Sequence, residues 1–188
     1  MKNQRRQSDN RKMNQEAAKY SRIEYERRFL VASDSNWQKF VEPYSKTFAD
    51  KYLTNARLRL RLLTDSDSDR QLIKLTKKYE SDSLYFQQIS TIILSSAEYQ
   101  IFDALEGNRL KKVRYYHNYQ GQVYSIDVFE NELKGLILCE TERDNLEDLM
   151  SAEFPDYASR EVTEDSFFTG GNLCGVTQSE LLKKLADF

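Results

Sequence analysis

The chain has a single histidine, His117, so no histidine-based metal or catalytic cluster can be assembled from it. Its two cysteines, Cys139 and Cys174, are too few for a disulfide framework and fit a reducing, cytoplasmic setting. With 2 prolines and 6 glycines in 188 residues, it is neither a low-complexity nor a collagen-like chain. No apolar run approaches the roughly 20 residues that span a bilayer, so no membrane partner is expected. The basic N-terminus lacks an apolar segment, so no secretory leader is expected either. The formal net charge is −2, which removes any general electrostatic case for nucleic acid and leaves only local basic surfaces.

What the chain does have is charge in ordered rows. Residues 1–20 are polar and basic without apolar period, and read as a disordered tail, with a loose RNA or membrane contact as the sharper alternative. Residues 21–188 read as one domain. Ser21–Val31 alternates as a strand: Ile23, Tyr25, Arg27, Phe29 and Val31 share one face, and Glu24, Glu26, Arg28 and Leu30 the other. Ala56–Leu63 places Arg57, Arg59 and Arg61 opposite Leu58, Leu60 and Leu62. Three guanidinium groups roughly 7 Å apart on one strand repel unless an anion or carboxylates answer them.

Further strands follow. Arg70–Lys78 aligns Lys74, Thr76 and Lys78, Phe86–Ile93 is less patterned, and Leu110–His117 aligns Lys112 with Arg114. Val123–Phe129 aligns Ser125 with Asp127, and Gly135–Glu142 aligns Glu140 with Glu142. Ser159–Thr163 is a short last strand. Asn118–Gln122 reads as a hairpin turn and Gly170-Gly171 as a loop. Helices are expected from Asp34-Ser35, carrying Trp37, Phe40, Val41 and Tyr44 and interrupted by Pro43, and from Ser95, ending at Gly107. Two more are expected from a capping box at Asp144–Glu147, with Leu146, Leu149 and Met150, and from a capping box at Thr177–Glu180, with Leu181, Leu182 and Leu185 inward.

A sheet with one solvated face would produce the same alternation. The signs, however, are segregated: one strand carries only arginine in its charged row, and two carry Glu-x-Glu. Paired carboxylates on facing strands supply hard oxygen donors suited to Mg²⁺ or Mn²⁺, and rows of Arg and Lys suit phosphate oxygens. Together they point to a metal-bridged polyphosphate inside a closed barrel, an α+β architecture with helices packed outside.

The order of these segments resembles the CYTH superfamily, the triphosphate tunnel metalloenzymes. Ile23–Val31 is similar to its Glu-x-Glu-x-Lys strand followed by Phe-Leu-Val, Ala56–Leu62 to its arginine strand, Leu75–Lys78 to its lysine strand, and Lys112–Tyr115 to its Lys-x-Arg-Tyr strand. Ile126–Phe129 with Gly135–Glu142 is similar to Asp-Val-Phe…Gly-Leu-x-Leu-x-Glu-x-Glu, and Arg160–Thr163 with Asn172-Leu173 to the closing part.

The resemblance implies an eight-stranded antiparallel tunnel that binds a small triphosphate-containing molecule with Mg²⁺ or Mn²⁺. It implies Glu24, Glu26 and Arg28 in catalysis, and Glu24, Glu26, Asp127, Glu140 and Glu142 at the metal. Arg57, Arg59, Arg61, Lys74, Lys78, Lys112 and Arg114 would then hold the substrate. The implied activity is hydrolysis of inorganic tripolyphosphate or a small organic triphosphate. The alternatives are a class IV-type adenylate cyclase and a non-catalytic polyphosphate- or nucleotide-binding module. An RNA-binding barrel fits less well, because no aromatic platform is clustered. An oligomer is left open. Three positions depart from the family pattern: Arg28 replaces Lys, Ile89–Ile92 lacks an acidic pair, and Phe167-Phe168 stands where a tyrosine-containing pair is common.

Overall fold

The computed structural model describes residues 18–32 and 34–188. Most of the basic tail therefore lies outside the described residues; its last three, Ala18–Tyr20, form a 3₁₀ turn rather than coil. Nine strands follow: β1 (Arg22–Val31), β2 (Ser45–Leu53), β3 (Leu58–Asp65), β4 (Gln71–Lys78), β5 (Phe86–Leu94), β6 (Gly107–Tyr119), β7 (Gln122–Phe129), β8 (Ile137–Arg143) and β9 (Ala158–Glu161). The helices are α1 (Ser96–Asp103), α2 (Leu146–Met150), α3 (Gly170–Leu173) and α4 (Gln178–Leu185).

The strand order is β5-β4-β3-β2-β6-β7-β8-β1-β9, and an additional β1–β5 pairing closes strands β1 to β8 into an antiparallel barrel. β1 makes the closure possible by dividing one edge. Arg22–Tyr25 pairs with β5, while Phe29–Val31 pairs with β9, which lies outside the barrel. Its other edge runs along β8. Because side chains alternate, closure turns one whole face of every strand inward.

Outside, leucines opposite the arginine row do the packing. Leu60, Ile73, Leu75 and Leu94 form a cluster on which Tyr99 and Phe102 of α1 rest. Inside, one end of the barrel is filled. Leu30, Leu110, Phe129 and Leu138 pack with Phe168, Leu173 and Leu181 of the C-terminal segments. A third cluster joins Trp37, Tyr124, Ile126, Cys139 and Tyr157.

Several local expectations are corrected. The segment after Asp34 is only a 3₁₀ turn, Trp37–Lys39, with Phe40 exposed, and the chain then enters β2, a strand that the alternation did not announce. Pro43 cannot donate to a helical ladder, which confines the helix to one turn. Gly107 does not end α1 but opens β6, because a Cβ there would collide with the Tyr52 carbonyl of β2. Asn145 rather than Asp144 caps α2, accepting from the Asp148 amide at 2.9 Å, and Leu146 and Met150 stay exposed. Gly170-Gly171 starts the short α3, and Leu182 faces outward while Leu181 is buried. The capping box of Thr177/Glu180 forms as expected, and Ser95 and Glu98 form another at the start of α1. The hairpin between β6 and β7 turns on Gln120 (φ 51°) and Gly121 (φ 74°), the left-handed pair that a two-residue connection requires.

Candidate active site

The inward face collects the charged rows. Ten of the residues singled out from the sequence line one enclosed cavity of about 90 Å³: Glu24, Glu26 and Arg28 (β1), Arg59 and Arg61 (β3), Lys78 (β4), Lys112 and Arg114 (β6), and Glu140 and Glu142 (β8). Across the β1–β8 ladder, Glu26 stands opposite Glu142 and Arg28 opposite Glu140. Across β3–β4, Arg61 stands opposite Lys74 and Arg59 opposite Thr76.

The groups are held by ion pairs. Arg28 Nε donates to Glu26 Oε1 at 3.1 Å, a second nitrogen of the same guanidinium contacts that oxygen, and Arg28 Nε lies 3.8 Å from Glu140 Oε1. Arg114 is bidentate on Asp127, at 2.6 Å twice, and also donates to Glu140 Oε2 at 2.7 Å. Burial, the largest single influence, works against ionised Glu26, but the charge and hydrogen bond of Arg28 with the charges of Lys78 and Arg114 together outweigh it and lower its pKa to about 2. Glu140 goes the other way: burial and the nearby Glu26 charge push it up to about 7. Burial, Glu26 and Glu24 together raise Glu142. Burial and then Arg59 bring Lys78 down to about 8.

Three sequence candidates sit elsewhere. Asp127 is fully enclosed, does not line the cavity, and spends its oxygens on Arg114 and Lys112. It is an orienting carboxylate here, not an open metal ligand. Lys74 lies on the inward row but outside the enclosed cavity, its pKa lowered by burial and by Arg61. Arg57 is at the mouth, clamped to the carbonyls of Lys78 and Tyr79 at 2.9 Å each.

Sequence reasoning missed β2's contribution. Asp50 accepts from Arg61 through both oxygens, Tyr52 lines the cavity, and the Phe48 ring lies 4.6 Å from the Arg61 guanidinium carbon and 5.0 Å from that of Arg114. The period-two row Lys46, Phe48, Asp50, Tyr52 is the signal that could have revealed it.

Two guanidinium atoms are buried without a hydrogen-bond partner, Arg28 Nη1 and Arg59 Nε. Arg28, Arg59, Lys78, Tyr52 and Gly170 line both the enclosed cavity and a larger one of about 530 Å³ at the mouth. The mouth cavity adds Leu58, Phe86, Gln87, Asn108, Asn172 and Cys174.

Solved structures share the barrel fold of this chain. Two crystal structures of the protein NE1496, one described as a hypothetical protein and one as an inorganic triphosphatase, are each 26% identical to it. The first has a TM-score of 0.55 and covers 82% of this chain and 99% of its own; the second has 0.52, with 80% and 93%. The chain has the CYTH-type tunnel fold. A candidate adenylate cyclase from Bacillus halodurans shares the CYTH-type fold alone, at 15% identity and a TM-score of 0.50, covering 70% of this chain and 86% of its own. No family profile and no curated protein matches the sequence.

Whether this CYTH tunnel suits a divalent cation depends on its donors. Glu24, Glu26, Glu140 and Glu142 offer only hard carboxylate oxygens on two adjacent strands; burial first, and then their mutual repulsion, raises Glu140 and Glu142, and a cation would relieve both. In kind, the donor set fits Mg²⁺ or Mn²⁺. In position, no three acidic, histidine or cysteine groups converge among the described residues, since Glu24, Glu26 and Glu140 are turned onto Arg22, Arg28 and Arg114.

Proposed function

We propose that this CYTH tunnel hydrolyses a triphosphate with the help of Mg²⁺ or Mn²⁺. The observation that carries the reading is the pair of orphaned donors, Arg28 Nη1 and Arg59 Nε, in one cavity beside Lys78. A buried N–H without an acceptor is unfavourable by about 1–3 kcal/mol, more on a charged group, and phosphate oxygens supply the missing acceptors. The enclosed cavity has room for several waters, and so for a phosphoryl group or two rather than a whole chain. The rest of the substrate would extend past Arg59 and Lys78 into the mouth, where Phe86, Asn108 and Asn172 could receive an organic group.

Glu24, Glu26, Glu140 and Glu142 would hold the metal, which when bound supplies charge neutralisation and a more acidic water. The remaining work belongs to the chain. Arg28, Arg59, Arg61, Lys78, Lys112 and Arg114 bind phosphate oxygens and stabilise the charge that develops on them. Asp50 and Asp127 hold Arg61, Lys112 and Arg114 in fixed orientations. Glu142 has no ion-pair partner among the described residues and a raised pKa, so of the four glutamates it is the one with an oxygen left, beyond the one that would face the metal, to accept a proton from the attacking water. The two free cysteines suit a reducing compartment, and no helix among the described residues is long and apolar enough to cross a membrane.

Two other readings have an observation each. The mouth cavity would also admit a nucleoside, as a cyclase needs, and Arg28's hold on Glu26 would suit a module that binds without turnover. The deciding experiment measures phosphate release from tripolyphosphate, ATP and thiamine triphosphate with Mg²⁺ and with Mn²⁺, beside Glu24→Gln. Release that the variant loses supports hydrolysis. Cyclic AMP from ATP would replace that reading with the cyclase, and tight binding without turnover would replace it with the binding module.

A further inference from the structure

The acidic wall of the tunnel already contains a cation. The Arg28 side chain is 11% exposed, sits on Glu26 through two of its nitrogens and reaches Glu140, while its third nitrogen is enclosed and has no partner. Other carboxylates of the wall are matched in the same way, Glu140 by Arg114 and Glu24 by Arg22. A divalent cation arriving alone would have to share Glu26 with a guanidinium a few ångströms away, and two cations that close in a poorly solvated site repel strongly.

An anion meets the opposite situation. It finds a charged donor already aimed into the cavity, and phosphate oxygens match the guanidinium fork as well as a carboxylate does.

We infer that Arg28 sets the order of binding in this tunnel: polyphosphate first, divalent metal second. In the empty tunnel its guanidinium neutralises Glu26 and keeps metal off the acidic wall. A polyphosphate that engages Nη1 draws the guanidinium toward itself and uncovers the Glu26 carboxylate for the metal. The anion's identity rests on the triphosphate reading above; the exclusion of free metal does not. Arg28 is thus a specificity-determining residue, coupling two ligands that it cannot serve at once.

The test reads binding, not turnover. Mn²⁺ alone is titrated against the full-length protein by the loss of its free paramagnetic resonance signal. Tripolyphosphate is titrated in EDTA by calorimetry. Wild type, Arg28→Gln and Arg28→Lys are compared after circular dichroism shows them folded. Wild type should bind tripolyphosphate without metal and bind Mn²⁺ alone about tenfold or more weaker than Arg28→Gln, the scale of one charge-assisted hydrogen bond. Arg28→Gln should lose a similar factor in metal-free tripolyphosphate affinity. Arg28→Lys, whose compact ammonium cannot bridge the same partners, should fall between them, and it carries the comparison alone if the glutamine variant does not fold. Wild type taking up Mn²⁺ alone as tightly as the variants overturns the inference. Wild type failing to bind tripolyphosphate both in EDTA and with metal overturns the proposed function itself. Equal Mn²⁺ affinities with intact tripolyphosphate binding sink only the order of binding.

Discussion

Asp50 accepts from both Nε and Nη2 of Arg61 at 2.6 Å, joining the centres of the adjacent strands β2 and β3 on their inward face. Asp50 is 3% exposed, so its loss would leave a guanidinium buried with no counter-charge. Asp50→Ala should therefore destabilise the fold by about 3–5 kcal/mol, the cost of breaking a buried pair from one side. Chemical denaturation measures it, and a loss under 1 kcal/mol would show that water reaches Arg61 freely. The double variant Asp50→Leu/Arg61→Met should recover most of the loss, because no charge is stranded.

Acid should act through the same carboxylates. Burial alone would raise Asp50 and Asp127, yet Arg61 on one and Arg114 with Lys112 on the other hold both below the usual range. A group depressed in the folded state stabilises it fully above the unfolded value, roughly pH 4, and loses that contribution as pH falls through the folded one. Stability from these pairs should be flat above about pH 5 and decline only below pH 4. Denaturant midpoints across pH 2–6 give the profile, and in Asp50→Asn the acid limb should be shallower.

Lys78 predicts proton uptake on binding. Burial and Arg59 lower it to about 8 in the empty tunnel, so part of the population is neutral just above that pH. An anion beside it favours the charged form and raises the pKa again. Tripolyphosphate binding at pH 8.5 should take up a fraction of a proton, read as a dependence of the calorimetric heat on buffer ionisation enthalpy. Lys78→Met should abolish that dependence; if it persists unchanged, the proton goes elsewhere.

The two cysteines should separate by reactivity. Cys139 is wholly buried and its thiol is pushed well up by that burial, whereas Cys174 is half-buried and lines the mouth cavity. One equivalent of thiol should react with a maleimide in the native protein and two after denaturation. Tripolyphosphate or ATP should slow the native reaction if the substrate extends into the mouth; ATP slowing it more than tripolyphosphate would place an organic group there.

Gly170 lies against Tyr52 so closely that an added Cβ would meet the phenol oxygen. Gly170→Ala should be destabilising by about 1–3 kcal/mol, as overpacking generally is, and Tyr52→Phe should relieve part of it in a double-mutant cycle. Additive effects would mean that the two do not touch.

The strands easiest to read in the sequence were those whose two faces differ most. On β3, arginine alternates with leucine, so the inward and outward rows were evident, and the structure buries Leu60 outside and Arg61 inside. β2 was illegible because both of its rows mix characters. Lys46, Phe48, Asp50 and Tyr52 point one way, and Thr47, Ala49, Lys51 and Leu53 the other. Its buried Lys51 donates to the Asp103 carbonyl at 2.6 Å, a partnership that no local pattern encodes. Asp127 was correctly placed on an inner row, but a row cannot say which carboxylate faces the cavity and which is consumed by its neighbours. Those assignments depend on three strands meeting, as Lys112 and Arg114 of β6 meet Asp127 of β7 and Glu140 of β8.

The divided edge of β1 has a consequence for how the molecule forms. β2 with β3, β3 with β4, β4 with β5, β6 with β7 and β7 with β8 are neighbours in sequence and can pair early, at little entropic cost. β1 must instead find β8 on one side and β5 on the other, both distant along the chain, and it meets β5 through only four residue pairs. Until it docks, Arg59, Arg61 and Lys78 line an open trough in which only the β8 half of the acidic wall, Glu140 and Glu142, is in place. The strand that shuts the barrel is the one bearing Glu24, Glu26 and Arg28, so the pairing that closes the wall is also the one that completes the site.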